Sequence, residues 1–350
     1  MSVADTTRGD RPAPPAGAPP EPPGRRPPRR TALLALVERY ALVGFFVLVM
    51  LFFTFWSKTS ATFLSAENVR NVLGNQAVTG ILALAIVVPL VCGEFDFSVG
   101  AVAGLSQVLT AGMMSRLHLP LGVAVAVGVG VGALVGLTNG TVVARIGVNS
   151  LIVTLGVSTA IGGVVLWYTK GQPIINGISP RLTDVGSGDW LGVPRTVYFL
   201  AFAALAVYYL LEHTPFGRYL HSIGSNARAA RLVGLRVDRL VLAGFALSGM
   251  LAGVAGVLLL ARNGTASPQV GTVGDTLQAL SAAFLGATAI RPGRFNVVGT
   301  LVAVFFLAFS VTGLSLAGVA NWINDVFNGA ALFVAVLVST IVGRTHAGVT

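Results

Sequence analysis

Residues 212–239 read Glu212-His213-Thr214-Pro215-Phe216-Gly217-Arg218-Tyr219-Leu220-His221-Ser222-Ile223-Gly224-Ser225-Asn226-Ala227-Arg228-Ala229-Ala230-Arg231-Leu232-Val233-Gly234-Leu235-Arg236-Val237-Asp238-Arg239. This is a polar, basic island, and apolar runs long enough to cross a bilayer flank it on both sides. Arg218, Arg228, Arg231, Arg236 and Arg239 place it in the cytoplasm under the positive-inside bias. Asn226 predicts an N-cap for a short helix through the Ala-rich segment, and Gly234 its stop. Such a helix would lie between two membrane spans, either to bind a soluble partner or as a solvated loop.

Around this island the chain is oily. Of its 350 residues 54% are hydrophobic and only 10% charged, with a mean hydropathy of +0.79. Soluble domains carry roughly 25% charged residues. So much apolar surface cannot be hidden in one water-facing globule, and the expected class is an all-α polytopic membrane protein. The net charge of +10 sits mainly in the tail and a few loops, which suits an anionic cytoplasmic leaflet. There is no folded basic face for nucleic acid. The single cysteine, Cys92, excludes an intrachain disulfide.

Residues 1–35 hold more than half of the 17 prolines together with Arg8, Arg11, Arg25, Arg26, Arg29 and Arg30. This composition predicts a disordered basic cytoplasmic tail. It lacks the pattern of a signal peptide. Residues 36–345 then form the membrane domain. Runs of about 17–25 apolar residues predict about ten spans, over about 38–56, 74–91, 97–115, 120–144, 150–168, 196–211, 240–261, 276–290, 295–314 and 322–343. With the N-terminus inside, about sixteen Lys and Arg fall on the cytoplasmic side and about seven outside. Both termini are therefore expected in the cytoplasm. Residues 169–195 make the longest outer loop, suited to capping an outer mouth or meeting an external protein. The many glycines within spans, such as Gly132, Gly249 and Gly253, predict close helix packing in lipid.

Several chemistries are excluded. A phosphate-binding Gly-x-x-x-x-Gly-Lys loop cannot exist, because Ser57 precedes Lys58 and Thr169 precedes Lys170, the only lysines. His118, His213, His221 and His346 fit no metal spacing. No cofactor and no catalytic residue is expected. Ionisable residues within spans mark ion pathways, and the candidates, Glu94, Asp96, Asp275 and Asp325, all fall near span ends.

Several ordered motifs resemble the permease subunits of bacterial ABC sugar importers of the ribose/xylose/galactose type. Gly93-Glu94-Phe95-Asp96-Phe97-Ser98-Val99-Gly100 resembles the family's Gly-x-x-Asp-Leu-Ser-Val-Gly, with Phe97 in place of Leu. Asn139-Gly140 and Ile152-Val153-Thr154-Leu155-Gly156 resemble two further stretches. Gly217-Arg218, Ile223-Gly224-Ser225-Asn226, Ala229-Ala230-Arg231-Leu232 and Gly234 resemble the cytoplasmic loop, and Leu247–Gly256 a glycine-rich span. The likeness runs from about residue 68 to the C-terminus. The chain departs from the family at Ala227 and Arg228, where acidic residues are frequent, and at Gly286–Phe295, which lacks the usual glycine run.

The resemblance implies a sugar-importing permease in the inner membrane, without its own ATP site. It implies an ABC ATPase subunit, an extracytoplasmic sugar-binding protein and a second permease chain, identical or related, as partners besides membrane lipid. It makes Asn226, Arg228, Ala229, Ala230, Arg231 and Gly234 the ATPase-coupling residues. Glu94, Asp96, Ser98, Asn139, Thr154 and Asp275 become candidates for the pathway. For Glu94 and Asp96 two readings stay open, a solvated turn or a helix broken beside the path. Trp167, Tyr168, Asn321, Trp322 and Asn324 are weaker candidates for sugar contact, since an interfacial belt explains the aromatic ones as well. An ATP-independent secondary transporter or channel for a small polar solute is the alternative, and a membrane-embedded enzyme a third reading that finds no polar cluster.

Overall fold

The computed structural model describes residues 32–271, 273–320 and 322–347. Most of the expected tail, residues 1–31, lies outside the described residues, as does Asn321. Among the described residues the chain forms helices α1 (Ala32–Phe55), α2 (Ala66–Val91), α3 (Val99–Ser115), α4 (Leu121–Thr141), α5 (Ser150–Thr169), α6 (Pro180–Ser187) and α7 (Arg195–His213). Then follow α8 (Pro215–Ser225), α9 (Ala227–Leu232), α10 (Val237–Asn263), α11 (Val273–Gly286), α12 (Val297–Leu316) and α13 (Trp322–Ala347). The only described strands are β1 (Asp189–Trp190) and β2 (Val193–Pro194), paired antiparallel between α6 and α7.

Each predicted apolar run overlaps a helix. Six helices, α2, α4, α5, α7, α10 and α12, are long and apolar enough to cross a membrane, with shorter apolar stretches in α1, α3 and α13. The eighth expected span is displaced. α11 covers 14 residues and stops at Gly286, because residues 287–296 turn back on themselves and Asn296 caps α12 by accepting from Gly299 N. Local chemistry sets the other ends. Ser65 caps α2 and Asn149 caps α5. A π turn, Val142–Ile146, finishes α4 before Gly147 leaves the helix at φ 80°.

The helices differ in how they meet their surroundings. α2 lies at the centre, with 78% of its most apolar window buried, whereas α4 buries 22% and α5 28% of theirs. A helix that is apolar all round is an interior helix in water, but in lipid it can equally be a peripheral one. α10 packs against α2, α3 and α4. Its contact with α4 is backbone to backbone: a Cβ at Gly132 would collide with the Gly249 carbonyl, and one at Gly249 with the Gly132 carbonyl. Gly130, two residues along, meets nothing and belongs to the outer face.

Candidate functional site

The polypeptide between α2 and α3 is not helical, although both ends of it are buried in the bundle. Pro89 lies in the last turn of α2 and Gly93, at φ 85°, turns the chain away. In hydrocarbon each unpaired peptide group costs several kcal/mol, so broken backbone survives only where protein satisfies it. Side chains do so here. Phe95 N donates to Ser150 Oγ at 3.0 Å and Phe97 N to Thr154 Oγ1 at 3.0 Å, both on α5. Gly100 N donates to Thr276 Oγ1 of α11 at 3.0 Å. Ser98 N donates to Asp96 Oδ1 at 3.0 Å.

Asp96 is the hub of this arrangement. Its Oδ1 also accepts from Ser98 Oγ at 2.6 Å, and its Oδ2 from Ser248 Oγ of α10 at 2.9 Å. Asn139 Nδ2 of α4 donates to Ser98 Oγ at 2.9 Å. The carboxyl group is thus held by an amide and two hydroxyls, just before the N-terminus of α3, whose dipole favours an acceptor there. Asp96, Ser98, Asn139, Thr154 and Ser248 are all buried. Asn139 Oδ1 is buried without a hydrogen-bond partner among the described residues, which leaves an acceptor in the same cluster. The break is therefore interior, and the solvated-turn reading of Asp96 does not hold. Glu94 is half-buried and lines a cavity instead.

That cavity, about 700 Å³, joins the break to the island. Cys92, Gly93, Glu94, Phe95 and Phe97 form one wall, and Ile223, Ala227, Arg231 and Asp238 another. A second cleft of about 860 Å³ lies on the other side of Gly93, between residues 221–233 and Gly293-Arg294-Phe295. Between the two, Gly224 of α8 sits so close to the Val91 carbonyl that no Cβ would fit.

The island itself is two helices. α9 begins at Asn226, whose side chain accepts from Ala229 N at 3.0 Å, and Gly234 follows it at φ 84°, as the sequence predicted. α8 before it was not anticipated; Thr214 caps it and Pro215 opens it. Ala230, expected on the partner-facing side, is turned into the chain and only 4% exposed. A helix of this length has room for one inward face, and Ala230 occupies it. Arg228 and Ala229 are exposed. Arg231 faces Asp238 of its own chain at 3.2 Å. The outward apolar residues are Leu232 and Val233, 89% and 77% exposed. Nearby, Glu212 pairs with Arg291. Burial lowers the His221 imidazole pKa; Glu212 opposes that shift, and Arg294 and Arg291 add to it.

The remaining candidates do not join the cluster. Asp275 accepts from Gly271 N at 2.9 Å, serving the loop before α11. Tyr168 lies under the Arg116 guanidinium at 4.4 Å, and Trp167 is exposed beside it at the end of α5. Trp322 and Asn324 start α13, which packs on α11, whereas α5 packs on α3. Among the described residues no group of three His, Cys, Asp or Glu could hold a metal ion. Ser150, Ser248 and Thr276, which complete the cluster, are single hydroxyls in apolar runs, and only the glycine-rich motif around Ser248 drew attention to any of them.

Residues 68–336 match the model of the family described as branched-chain amino acid transport system / permease component. The ribose import permease protein RbsC of Escherichia coli is 33% identical over 87% of this chain and 94% of its own length. RbsC of Bacillus subtilis is 33% identical over 84% and 90%. The xylose transport system permease protein XylH of Escherichia coli is 29% identical over 88% and 93%. No solved structure gives a significant match. The matched residues include the whole Asp96 cluster and the island, and the chain belongs to this family of transport-system permease components.

Proposed function

We propose that this chain is the membrane-spanning permease subunit of an ABC importer that carries a sugar, of the monosaccharide class, across the inner membrane. The names of its relatives, ribose and xylose permeases, support the cargo. In this reading ten helices cross the membrane and both termini are cytoplasmic. Two permease chains, identical or related, enclose the path. An extracytoplasmic binding protein delivers the sugar, and a separate ATPase subunit docks on residues 212–239 and hydrolyses ATP.

The observation that carries this reading is the contact between the island and the broken helix. α8 touches the end of α2 at Gly224 and Val91, and α9 lines the same cavity as Glu94 from another wall. A force applied to α8 and α9 from the cytoplasm reaches the break without passing through a flexible linker. The break in turn is tied to α4, α5, α10 and α11 through Asn139, Thr154, Ser248 and Thr276. Arg228, Leu232 and Val233 supply the outward face for the ATPase.

The test is uptake of labelled ribose and xylose into proteoliposomes holding the permease, with the candidate ATPase and binding protein added. Uptake that needs ATP and both partners supports the assignment. Uptake driven by an ion gradient in their absence would move the secondary-transporter reading to the front.

A further inference from the structure

The β1–β2 hairpin between α6 and α7 carries a feature that the fold does not require. Its turn is Leu191-Gly192, with φ of 51° and 78°. Two successive positive φ values make the type of turn that Asn-Gly or Asp-Gly ordinarily fills, since their side chains tolerate the left-handed region. A leucine there is strained. Among the described residues nothing offsets that strain by packing on Leu191, which is 88% exposed, and Trp190 beside it is 63% exposed. A strained backbone that holds out a leucine and a tryptophan breaks a local rule whose gain must lie outside the chain.

The neighbouring surface identifies what lies there. Tyr198, Phe202, Leu205 and Tyr209 of α7 are exposed at spacings of three and four residues, which makes one stripe along a helix long enough to cross a membrane. Such a stripe faces acyl chains. Trp190 continues it beyond the end of the helix: its ring lies 5.4 Å from that of Tyr198, and the Tyr198 hydroxyl donates to the Trp190 carbonyl at 2.9 Å. The polar side of the hairpin turns the other way, where Arg70 Nε donates to the Gly192 carbonyl at 3.1 Å and Arg70 faces Asp189 at 3.7 Å. Trp167 closes α5 at the same end of the bundle, since residues 170–194 join the two helices.

We propose that Trp190 and Leu191 form a lipid anchor, seated in the interfacial layer of the membrane at the end of α7 opposite α8. Tryptophan suits this layer because its ring is apolar and its N–H polar. Leu191 reaches the start of the acyl region. Arg70 and Asp189 hold the hairpin against α2 so that the tip points along the α7 stripe. The anchor fixes the outer loop at one depth and does not depend on which solute is carried.

The experiment places a nitroxide on Leu191→Cys in the full-length permease in phosphatidylcholine nanodiscs. The native Cys92 is buried, so the label reports the hairpin. The expected result is greater collision with dissolved oxygen, which concentrates in lipid, than with a water-soluble nickel chelate. A second measurement keeps Trp190 as the sole tryptophan, through Trp56→Phe, Trp167→Phe and Trp322→Phe. Lipids brominated near the headgroup should quench its emission, and aqueous acrylamide should not. Preferential access of the chelate, or acrylamide quenching without bromolipid quenching, overturns the proposal. So does protection from the chelate that arises only when a binding protein or a second permease copy is added, which would assign the tip to a protein contact.

Discussion

Ser248, near the middle of α10, donates its hydroxyl to the Asp96 carboxylate at 2.9 Å across 152 residues of sequence. Together with the Ser98 bonds it ties the start of α3 to the helix that leaves the island. Ser248→Ala removes one donor from a buried acceptor and should cost about 1–3 kcal/mol, the range for leaving a buried polar group short of a partner. Asp96→Ala strands three donors at once and should cost more. Asp96→Asn keeps the shape and should fall between wild type and Asp96→Ala. Thermal unfolding of the purified permease in one detergent gives the order, and equal midpoints for Ser248→Ala and wild type would remove Asp96 from its place as hub.

Gly132 and Gly130 make a matched pair on α4. Gly132 lies against the Gly249 backbone, while Gly130 meets nothing. Gly132→Val must push two helices apart, and overpacking of this kind typically costs about 1–3 kcal/mol or more. Gly130→Val adds an apolar side chain to an exposed surface of α4 and should be tolerated. Monodispersity on size-exclusion chromatography distinguishes the two, and equal behaviour would contradict the packing of α4 on α10.

His221 gives a pH dependence. Burial lowers its folded-state pKa, with Glu212 opposing and Arg294 and Arg291 assisting. The unfolded chain therefore takes up a proton first, so His221 favours the folded state at neutral pH and that contribution disappears as pH falls below the ordinary imidazole value of about 6.5. Wild type should lose thermal stability on acidification through this range more steeply than His221→Gln. Parallel profiles would show that His221 is not held neutral by its surroundings.

Much of this was legible from the residues, and the limit has a physical cause. Apolar length located the six helices long and apolar enough to cross a membrane, Gly93 and Asp96 located the break, and Asn226 with Gly234 bracketed α9. Which helix is interior was not legible. α2 and α4 have similar hydropathy, 1.8 and 2.2, yet α2 is enclosed and α4 is peripheral, because lipid is as apolar as a protein core. The partners of the break were also hidden, since Ser150, Ser248 and Thr276 reach it only through tertiary packing. Ala230 misled for a related reason: a small residue suits either face of a helix, and only the fold shows that the bundle takes it while Leu232 and Val233 face outward. The hairpin was unreadable because its turn carries Leu191 where turn chemistry calls for Asn or Asp.

The central claim, that α9 passes force from an ATPase to the broken helix, is tested most directly by Leu232→Asp. Leu232 is exposed, so the variant should fold and elute as wild type does. Removing an interface anchor typically costs at least about 2 kcal/mol, or about thirtyfold in affinity. The measurement is co-purification of the ATPase with the permease, alongside ATP-dependent sugar uptake in proteoliposomes. The account predicts that the variant loses the ATPase and its uptake together while keeping its elution profile. Retained ATPase and undiminished uptake would contradict it.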